Sequence, residues 1–327
     1  SICDAMQNFD IIDNSDVGDD EERQVAARRM FMYSPKALQA ADEVKRKYVI
    51  FRDLKEVLTA YDRAYQLALR IRQPQGVLVI GPPGSSKTSV TEYFRRSLPT
   101  SADILEGYST LAIRLRSNPC AGSIVSLLLR AVRHPFTAVR KGRFDTMRDI
   151  AFEALQQMGT RMIFVDHAHV LEQSVRKSSK AAQRAAIETT ASEVFRDLMD
   201  ETGIALVFLA SDSFGGLERI DESLADRVSV RLSLRYFEDG NEWRYFLGEI
   251  GRRTKSVDLS ILSDETVATI THKAVMGNRR RTKLLLTEAV LVAVDANSQT
   301  VDRSHFEEAF KRISGALNQV VNPYAAA

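Results

Sequence analysis

A short stretch rich in glycine, proline and serine runs directly into a lysine and a threonine. It reads GPPGSSKTS and comprises Gly81, Pro82, Pro83, Gly84, Ser85, Ser86, Lys87, Thr88 and Ser89, which we call the phosphate loop. The spacing is typical of loops that wrap phosphate groups with backbone N–H groups and the N-terminus of a following helix. Lys87 would reach the outer phosphates and the Thr88 hydroxyl would bind Mg²⁺. The stretch therefore predicts a site for ATP and Mg²⁺.

The loop departs from the usual GxxxxGK[ST] pattern at one position, because Ser86 stands where the pattern has its last glycine. That glycine normally leaves room for the phosphate, and serine is the next smallest polar residue. The alternative is a chance Gly/Ser turn, which the Lys-Thr pair and the strand and helix patterns around it disfavour. We expect the loop to retain nucleotide binding.

A second motif, RMIFVDHAH, is an apolar run that ends in Asp166. A carboxylate at this point would hold Mg²⁺ through water, opposite Thr88. The next residue is His167, where ATPases with this pattern carry a glutamate that activates water. A neutral imidazole can accept a proton but supplies no negative charge. Three outcomes stay open: ATP hydrolysis is slow, His167 is the base, or another group such as Glu172 replaces it.

Further polar residues are candidates for reading the γ-phosphate. Ser211 follows another apolar run and is the first candidate, with Asp212 second, although a plain strand-end cap is an equal alternative. Later in the chain, GNRRRTK opens a helix after Gly277, and Arg280 has the best spacing to point back at the nucleotide. The residues then expected to face solvent or another polyanion are Arg279, Arg281 and Lys283.

Two arginines stand near the last apolar run of this pattern. Arg227 directly precedes the run and is the catalytic candidate, and Arg219 lies one helix earlier. In a ring or a filament, such an arginine can reach the γ-phosphate of the neighbouring subunit. The sequence does not decide which arginine would act in this way, and a surface salt bridge with Glu222 or Asp226 is the alternative.

These residues need a scaffold that brings them together. Short apolar segments alternate with helical segments up to about residue 236, which predicts an α/β fold with a parallel five-stranded sheet flanked by helices. Strands are predicted at 76–81, 109–116, 161–166, 203–211 and 228–234, and helices at 36–72, 87–98, 123–132, 144–158 and 180–201. Helices at 241–253, 263–275, 279–296 and 302–314 predict a small all-helical C-terminal lid.

The predicted domain organisation follows from these patterns. It comprises an acidic flexible tail at 1–25, a helical segment at 26–72, the nucleotide-binding core at 73–236, the lid at 237–315 and a tail at 316–327. Only two cysteines occur in 327 residues, and no apolar run is long enough to span a bilayer. No basic-then-apolar signal opens the sequence. We therefore expect a cytoplasmic protein without a membrane partner.

The charge is distributed unevenly, although the net charge is only +2. The segment from Gly107 to Phe144 contains no acidic residue and seven basic ones. Such a segment suits phosphate contacts, and its few aromatic residues favour sequence-tolerant binding of a double-stranded DNA backbone. The candidate DNA contacts are Arg114, Arg116, Arg140, Lys141 and Arg143. A solvated basic face is the alternative, and Arg114 and Arg116 could instead contact structural partners at a strand end.

With these pieces in place, the chain resembles the AAA+ ATPases over about residues 50–315. GPPGSSKT is similar to the GPPGTGKT loop of that family, FVDHAH to its DEAH-like motif with Glu changed to His, and GNRR to its GxxR sensor. The order of the features most resembles the TniB/TnsC regulators of transposition, with MuB more distant. The last glycine of the loop and the glutamate of the DEAH-like motif are both absent here, which affects hydrolysis more than ATP binding.

The resemblance implies an ATP-dependent homo-oligomer, a ring or a helical filament, on double-stranded DNA. Such an oligomer would link a target-selection protein to a transposase. We therefore expect ATP to serve chiefly in assembly, with slow or partner-dependent hydrolysis. Two alternatives remain at this point: a signalling or scaffold NTPase that binds only proteins, and a replication-type AAA+ loader.

Overall fold

The computed structural model describes residues 20–21, 23–24, 32–71, 74–98, 107–175, 190–315 and 321–325. Nearly all of the predicted acidic tail and the first part of the helix predicted at 180–201 lie outside these residues. Within them, no helix combines the length and the apolar character that crossing a membrane requires.

Five parallel strands form one sheet in the order β2-β3-β4-β1-β5. The strands are β1 (Gly76–Ile80), β2 (Thr110–Arg114), β3 (Met162–Asp166), β4 (Ala205–Ala210) and β5 (Val230–Ser233). Each lies within its predicted range, so the predicted sheet is confirmed. All six residues of β4 are buried, because helices cover both faces of a parallel sheet and its strands therefore read as continuous apolar runs.

Helices pack on both faces of this sheet. They are α2 (Arg52–Arg70), α3 (Lys87–Ser97), α4 (Ala121–Ala131), α5 (Phe144–Gln157), α6 (Leu171–Val175), α7 (Ala191–Thr202) and α8 (Glu222–Arg227). On one face, Ile163 and Val165 of β3 belong to a core cluster with residues of α4 and α7. On the other face, Phe164 meets Tyr61 of α2, with ring centroids 5.1 Å apart. The alternation follows from the two-residue period of a strand.

The remaining helices are α1 (Pro35–Arg46), α9 (Asn241–Arg253), α10 (Glu265–Val275), α11 (Arg279–Asp295) and α12 (Arg303–Ser314). Helices α9 to α12 confirm the predicted all-helical C-terminal segment. The chain forms two compact units. One comprises residues 48–249 with 268–282 and contains the sheet, and the other comprises 1–47, 250–267 and 283–327. The domain boundaries predicted from the sequence stay a prediction.

Glu43 of α1 ties the second unit together. Its carboxylate accepts hydrogen bonds from the backbone N–H groups of Lys255 and Ser256, each at 2.9 Å, and lies 3.0 Å from the Lys47 ammonium. Burial alone would raise the pKa of Glu43, but the hydrogen bonds from Ser256, Lys255 and Lys47 outweigh burial and hold the pKa at about 2. The charged form of this carboxylate is therefore the one that the fold stabilises.

Candidate functional site

The carboxyl ends of the strands form the edge on which the predicted site residues meet. The register places Ile80 opposite Ala210 and Arg114 opposite Asp166. The phosphate loop follows β1, which lies between β4 and β5 although neither is its neighbour in sequence. Ligands of parallel α/β sheets bind outside the carboxyl edge at such a reversal of strand order. The fold therefore brings the separate sequence motifs to one place.

The phosphate loop turns into α3 through two residues with positive φ. Gly84 has φ +79°, and Ser86 is left-handed with φ 74° and ψ 16°. Ser86 occupies the position where the pattern has glycine, which adopts this conformation at no steric cost. Its side chain makes no capping hydrogen bond at the start of α3, so it does not occupy the first N–H groups of the helix. The serine thus keeps the glycine-type backbone.

Lys87 folds back into the loop. Its ammonium donates to the carbonyl oxygens of Gly81 and Pro82, the second at 3.1 Å. Burial lowers the pKa of Lys87, and the negative charges of Asp166 and Asp212 partly offset this effect. The two carboxylates act on the lysine because β3 and β4 end beside the loop. A bound phosphate would offer the ammonium better acceptors than neutral carbonyls.

Asp166 and His167 form a tight turn directly after β3. His167 is left-handed, with φ 62°, and its backbone N–H donates to Asp166 Oδ1 at 2.8 Å. Arg114 Nη2 lies 3.2 Å from His167 Nε2, and Arg114 Nη1 lies 4.0 Å from Asp166 Oδ2. A guanidinium can only donate, so a hydrogen bond in this contact requires Nε2 to accept. The ring nitrogen that faces Arg114 is thus already engaged.

Ser211 and His169 connect β4 to this turn. The Ser211 backbone N–H donates to His169 Nδ1 at 3.3 Å. Burial, followed by the charges of His167 and Lys87, lowers the pKa of His169. The neutral form that can accept this hydrogen bond is therefore favoured. His169 is thus a structural link between β4 and this turn, and its only sequence signal is the two-residue spacing from His167.

Glu172, the alternative base, is held elsewhere. Its Oε1 accepts a hydrogen bond of 2.6 Å from the backbone N–H of Gly215, in the loop after β4. This bond orients the carboxylate towards the backbone of that loop. The geometry therefore favours a site without a carboxylate base at the His167 position.

The GNRR motif forms hydrogen bonds with the backbone of the phosphate loop. Three consecutive residues donate to three carbonyls of the loop: Asn278 Nδ2 to Pro83 at 3.2 Å, Arg279 Nη1 to Ser85 at 2.6 Å, and the Arg280 N–H to Gly84 at 3.3 Å. The Tyr236 hydroxyl also donates to the Pro83 carbonyl, at 2.6 Å. These bonds use carbonyl groups of the loop and none of its N–H groups.

The predicted exposure of Arg279 is wrong. This residue is 4% exposed, and its guanidinium lies 4.1 Å from the ring centroid of Phe51 and 4.7 Å from that of Phe237. Burial lowers its pKa to about 10, which still leaves it charged at neutral pH. A flat, weakly hydrated guanidinium can stack between aromatic rings, as an ammonium cannot. Arg280, the predicted sensor, is exposed beside Gly84.

Lys283 also departs from the expected solvent exposure. It is half-buried, and its ammonium donates to the carbonyls of Val44 and Lys47 at the C-terminus of α1. Burial lowers its pKa to about 8. The cation thus caps a helix end, where the carbonyl groups are otherwise unpaired. The exposure predicted for Arg281 is confirmed.

The two arginines near β5 differ in their surroundings. Arg227 forms a bidentate pair with Asp200, with contacts of 2.9 and 2.7 Å, and its third nitrogen donates to Ser223. Asp200 is not among the partners that the sequence suggested, because it lies on α7, a separate helix. Arg219 is exposed on a short 3₁₀ helix at Leu217–Arg219. Arg219 is therefore the less constrained of the two.

The candidate DNA contacts fall into two groups. Arg114 and Arg116 lie at the end of β2, where Arg114 contacts the turn after β3. Arg140, Lys141 and Arg143 lie in the connection between α4 and α5, and both of these arginines are exposed. Arg114 therefore contacts structural partners at a strand end, as in the alternative above, and it lies at the carboxyl edge of the sheet opposite Asp166.

A family model places these motifs in a known family. The model described as "Bacterial TniB protein" matches residues 41–235, more than half of the chain. The chain belongs to the TniB family. The match covers the whole sheet, including the phosphate loop and the turn after β3, so the geometry above belongs to a TniB-family core. No curated protein matches the chain.

Solved structures similar to this TniB-family chain share its fold. The Aeropyrum pernix ORC2 protein, in ADPNP–ADP complexes, has a TM-score of 0.59 and 16% identity, covering 84% of this chain and 72% of that one. The Aeropyrum pernix ORC1 protein in complex with DNA has a TM-score of 0.57 and 19% identity, covering 81% and 66%. Drosophila ORC bound to DNA has a TM-score of 0.52 and 12% identity, covering 90% and 74%. The predicted AAA+ fold is confirmed.

Proposed function

We propose that this protein is an ATP-dependent, DNA-binding AAA+ regulator of transposition. It would oligomerise on double-stranded DNA and link a target-selection protein to a transposase. The observation that carries the proposal is the phosphate loop, which keeps its glycine-type backbone and its half-buried lysine within a TniB-family core. The Aeropyrum pernix ORC2 structure with ADPNP and ADP is consistent with nucleotide binding by such a fold.

The residues present fit Mg-ATP. The N–H groups of the phosphate loop would hold the phosphates, Lys87 would exchange its carbonyl partners for the β- and γ-phosphates, and Arg280 would approach them from α11. Thr88 and Asp166 would hold Mg²⁺, which neutralises phosphate charge. Among the described residues, no three His, Cys, Asp or Glu side chains are grouped for a metal ion. Magnesium would therefore need phosphate oxygens as further ligands.

ATP would act mainly as an assembly ligand. His167 supplies no negative charge, and its Nε2 already accepts a hydrogen bond from Arg114 at 3.2 Å. To serve as a base it would have to release Arg114. Glu172 is oriented by its hydrogen bond towards Gly215. We therefore expect slow hydrolysis unless a partner rearranges these contacts. Ser211, at the end of β4, would detect the γ-phosphate.

The proposed DNA contacts combine the exposed arginines at 116, 140 and 143 with Lys141 and Arg114. Two of the similar structures, the Aeropyrum ORC1 protein and Drosophila ORC, were solved with DNA. Their low identity gives fold likeness only, so the argument for DNA here rests on the seven basic residues without a carboxylate between 107 and 144. For the contact between subunits, Arg219 is freer than Arg227 to reach a neighbour.

The decisive experiment measures ATP turnover and filament formation on duplex DNA in the same sample. Wild type is compared with His167→Glu and Lys87→Ala. We expect wild type to assemble with ATP and hydrolyse it slowly, His167→Glu to gain turnover, and Lys87→Ala to lose assembly. Brisk wild-type hydrolysis would refute the assembly-ligand mechanism. If neither assembly nor DNA binding responds to ATP, the transposition proposal is refuted and a scaffold that binds only proteins is favoured.

A further inference from the structure

The connection between α4 and α5 presents one phenylalanine to solvent. Phe136 is 73% exposed, whereas every other phenylalanine in the described ranges is buried or half-buried. Tyr108 and Phe144, the other aromatic residues of the acid-free segment, pack against the core cluster. An exposed aromatic ring forgoes the favourable free energy of burial.

A fixed turn holds the ring outward. Helix α4 ends with two hydrogen bonds, from Arg133 N to Arg130 O at 3.0 Å and from His134 N to Leu129 O at 2.9 Å. Arg133 is left-handed, with φ 55°, as this helix ending requires. The His134 ring then contacts the backbone of Phe136, with Nδ1 3.1 Å from its nitrogen and 2.8 Å from its oxygen. The backbone under Phe136 is thus pinned by a side chain.

The far side of the turn is also anchored. Val139 packs against the core cluster, and its side chain lies 3.7 Å from the point where a Cβ on Gly122 would stand. A 3₁₀ turn at Lys141–Arg143 then leads into α5. Phe136 therefore sits at the tip of a turn that is held at both ends. Exposure of this ring is a consequence of defined packing on either side.

The surroundings of the ring indicate what it would contact. Arg133, Arg140 and Arg143 are exposed near it in sequence, and the whole segment from 107 to 144 contains no carboxylate. A partner must therefore offer dense negative charge together with an apolar surface. Duplex DNA offers both, because sugars and base edges lie between its phosphate rows in the minor groove. Apolar side chains inserted there partly unstack base steps.

We propose that Phe136 is an apolar wedge that enters the minor groove of bound duplex DNA and partly unstacks one base step, while the neighbouring arginines contact the phosphates. The inference rests on the proposed DNA binding and adds a contact of a different chemical kind. The arginines give salt-dependent affinity through counterion release. The wedge gives affinity that is nearly independent of salt, and it favours base steps that deform easily.

The test separates the two kinds of contact by their salt dependence. Binding of fluorescein-labelled duplex DNA in the presence of ATP is measured by anisotropy over a series of salt concentrations. We expect Phe136→Ala to weaken binding about tenfold at every salt concentration, without changing the slope of log K against log[salt]. Arg140→Ala should reduce that slope by about 0.9. Tyr245→Ala removes another exposed aromatic residue, 53% exposed, and should leave binding unchanged.

A duplex with 2-aminopurine at scattered positions reports the unstacking directly. Wild type should raise its fluorescence at a subset of positions, and Phe136→Ala should not. Phe136→Ala with wild-type affinity and an equal fluorescence change would overturn the wedge while leaving the proposed function intact. If wild type itself fails to bind duplex DNA with ATP, the proposed function fails and the wedge fails with it. If Phe136→Ala loses self-association in solution without DNA, the ring belongs to a contact between protein subunits, and the wedge is overturned as well.

Discussion

Replacing Ser86 by glycine should stabilise the protein. Ser86 holds φ 74° and ψ 16°, a left-handed conformation that costs a residue with a Cβ about 1 to 2 kcal/mol. Glycine removes this cost but loses more entropy on folding, by about 0.4 to 1 kcal/mol. The side chain of Ser86 makes no capping bond that the change would forfeit. The net expectation is a gain of about 0.5 to 1 kcal/mol in the free energy of unfolding.

The matched control is Ser86→Ala, which removes the hydroxyl but keeps the Cβ and therefore the strain. Urea denaturation of the three proteins, without nucleotide, gives the free energy of unfolding from the midpoint at an unchanged m value. We expect Ser86→Ala to stay within about 0.5 kcal/mol of wild type and Ser86→Gly to exceed both. A gain of this size corresponds to a rise in Tm of about 1 to 4 °C.

Two results would refute this reasoning. A loss of stability in Ser86→Gly would mean that the serine side chain makes a stabilising contact larger than the backbone strain. Equal effects in Ser86→Gly and Ser86→Ala would assign the effect to the hydroxyl and not to the backbone. Repeating the titration with saturating ADP tests the site, because a bound ligand adds stability according to its affinity. The glycine variant should gain at least as much from ADP as wild type does.

Two further changes test the packing and the electrostatics. Gly277→Ala should lower the free energy of unfolding by about 3 kcal/mol or more in urea denaturation, because a Cβ there would stand 2.0 Å from the Phe237 carbonyl oxygen at φ +66°. The control is Gly142→Ala, where a Cβ would have no atom within 4 Å. Equal losses of stability in the two variants would contradict the clash. Glu43→Gln should cost about 1 to 2 kcal/mol at pH 7, because the wild-type pKa is lowered to about 2 and the side chain is 24% exposed. A carboxyl group with a lowered pKa stabilises the folded protein above the unfolded pKa of 4.5, and this contribution is lost as the pH falls towards 2. The difference in free energy of unfolding between wild type and Glu43→Gln should therefore shrink over that pH interval. A difference that is constant with pH would contradict this origin.

The sheet could be read from the sequence because its signals are local. The three inner strands, β1, β3 and β4, are short apolar runs, because helices cover both faces of the sheet there. The phosphate loop is equally local, since nine consecutive residues carry the turn, the lysine and the hydroxyl. The position of Asp166 follows from the same rule, because a carboxylate that ends a buried parallel strand must reach the carboxyl edge of the sheet.

The contacts of the arginines depended on the tertiary structure. Arg279 and Arg280 are adjacent in sequence, yet the first is buried between Phe51 and Phe237 and the second is exposed. The two rings lie 228 and 42 residues from Arg279 along the chain, which no local pattern records. Arg227 likewise pairs with Asp200 on another helix. Helical spacing gives the direction of a side chain, and only the packed neighbours determine what it meets.

The sequence by itself determined that this protein has a parallel sheet with a phosphate loop and a histidine in the place of a glutamate. Only the tertiary structure decided that Arg114 faces that histidine, because β2 and β3 pair in a register that places Arg114 opposite Asp166. The sequence also determined that residues 107 to 144 are basic, while the structure decided that Phe136 points away from the core. Composition is a property of the chain, but the exposure and pairing of side chains depend on how segments distant in sequence pack against each other.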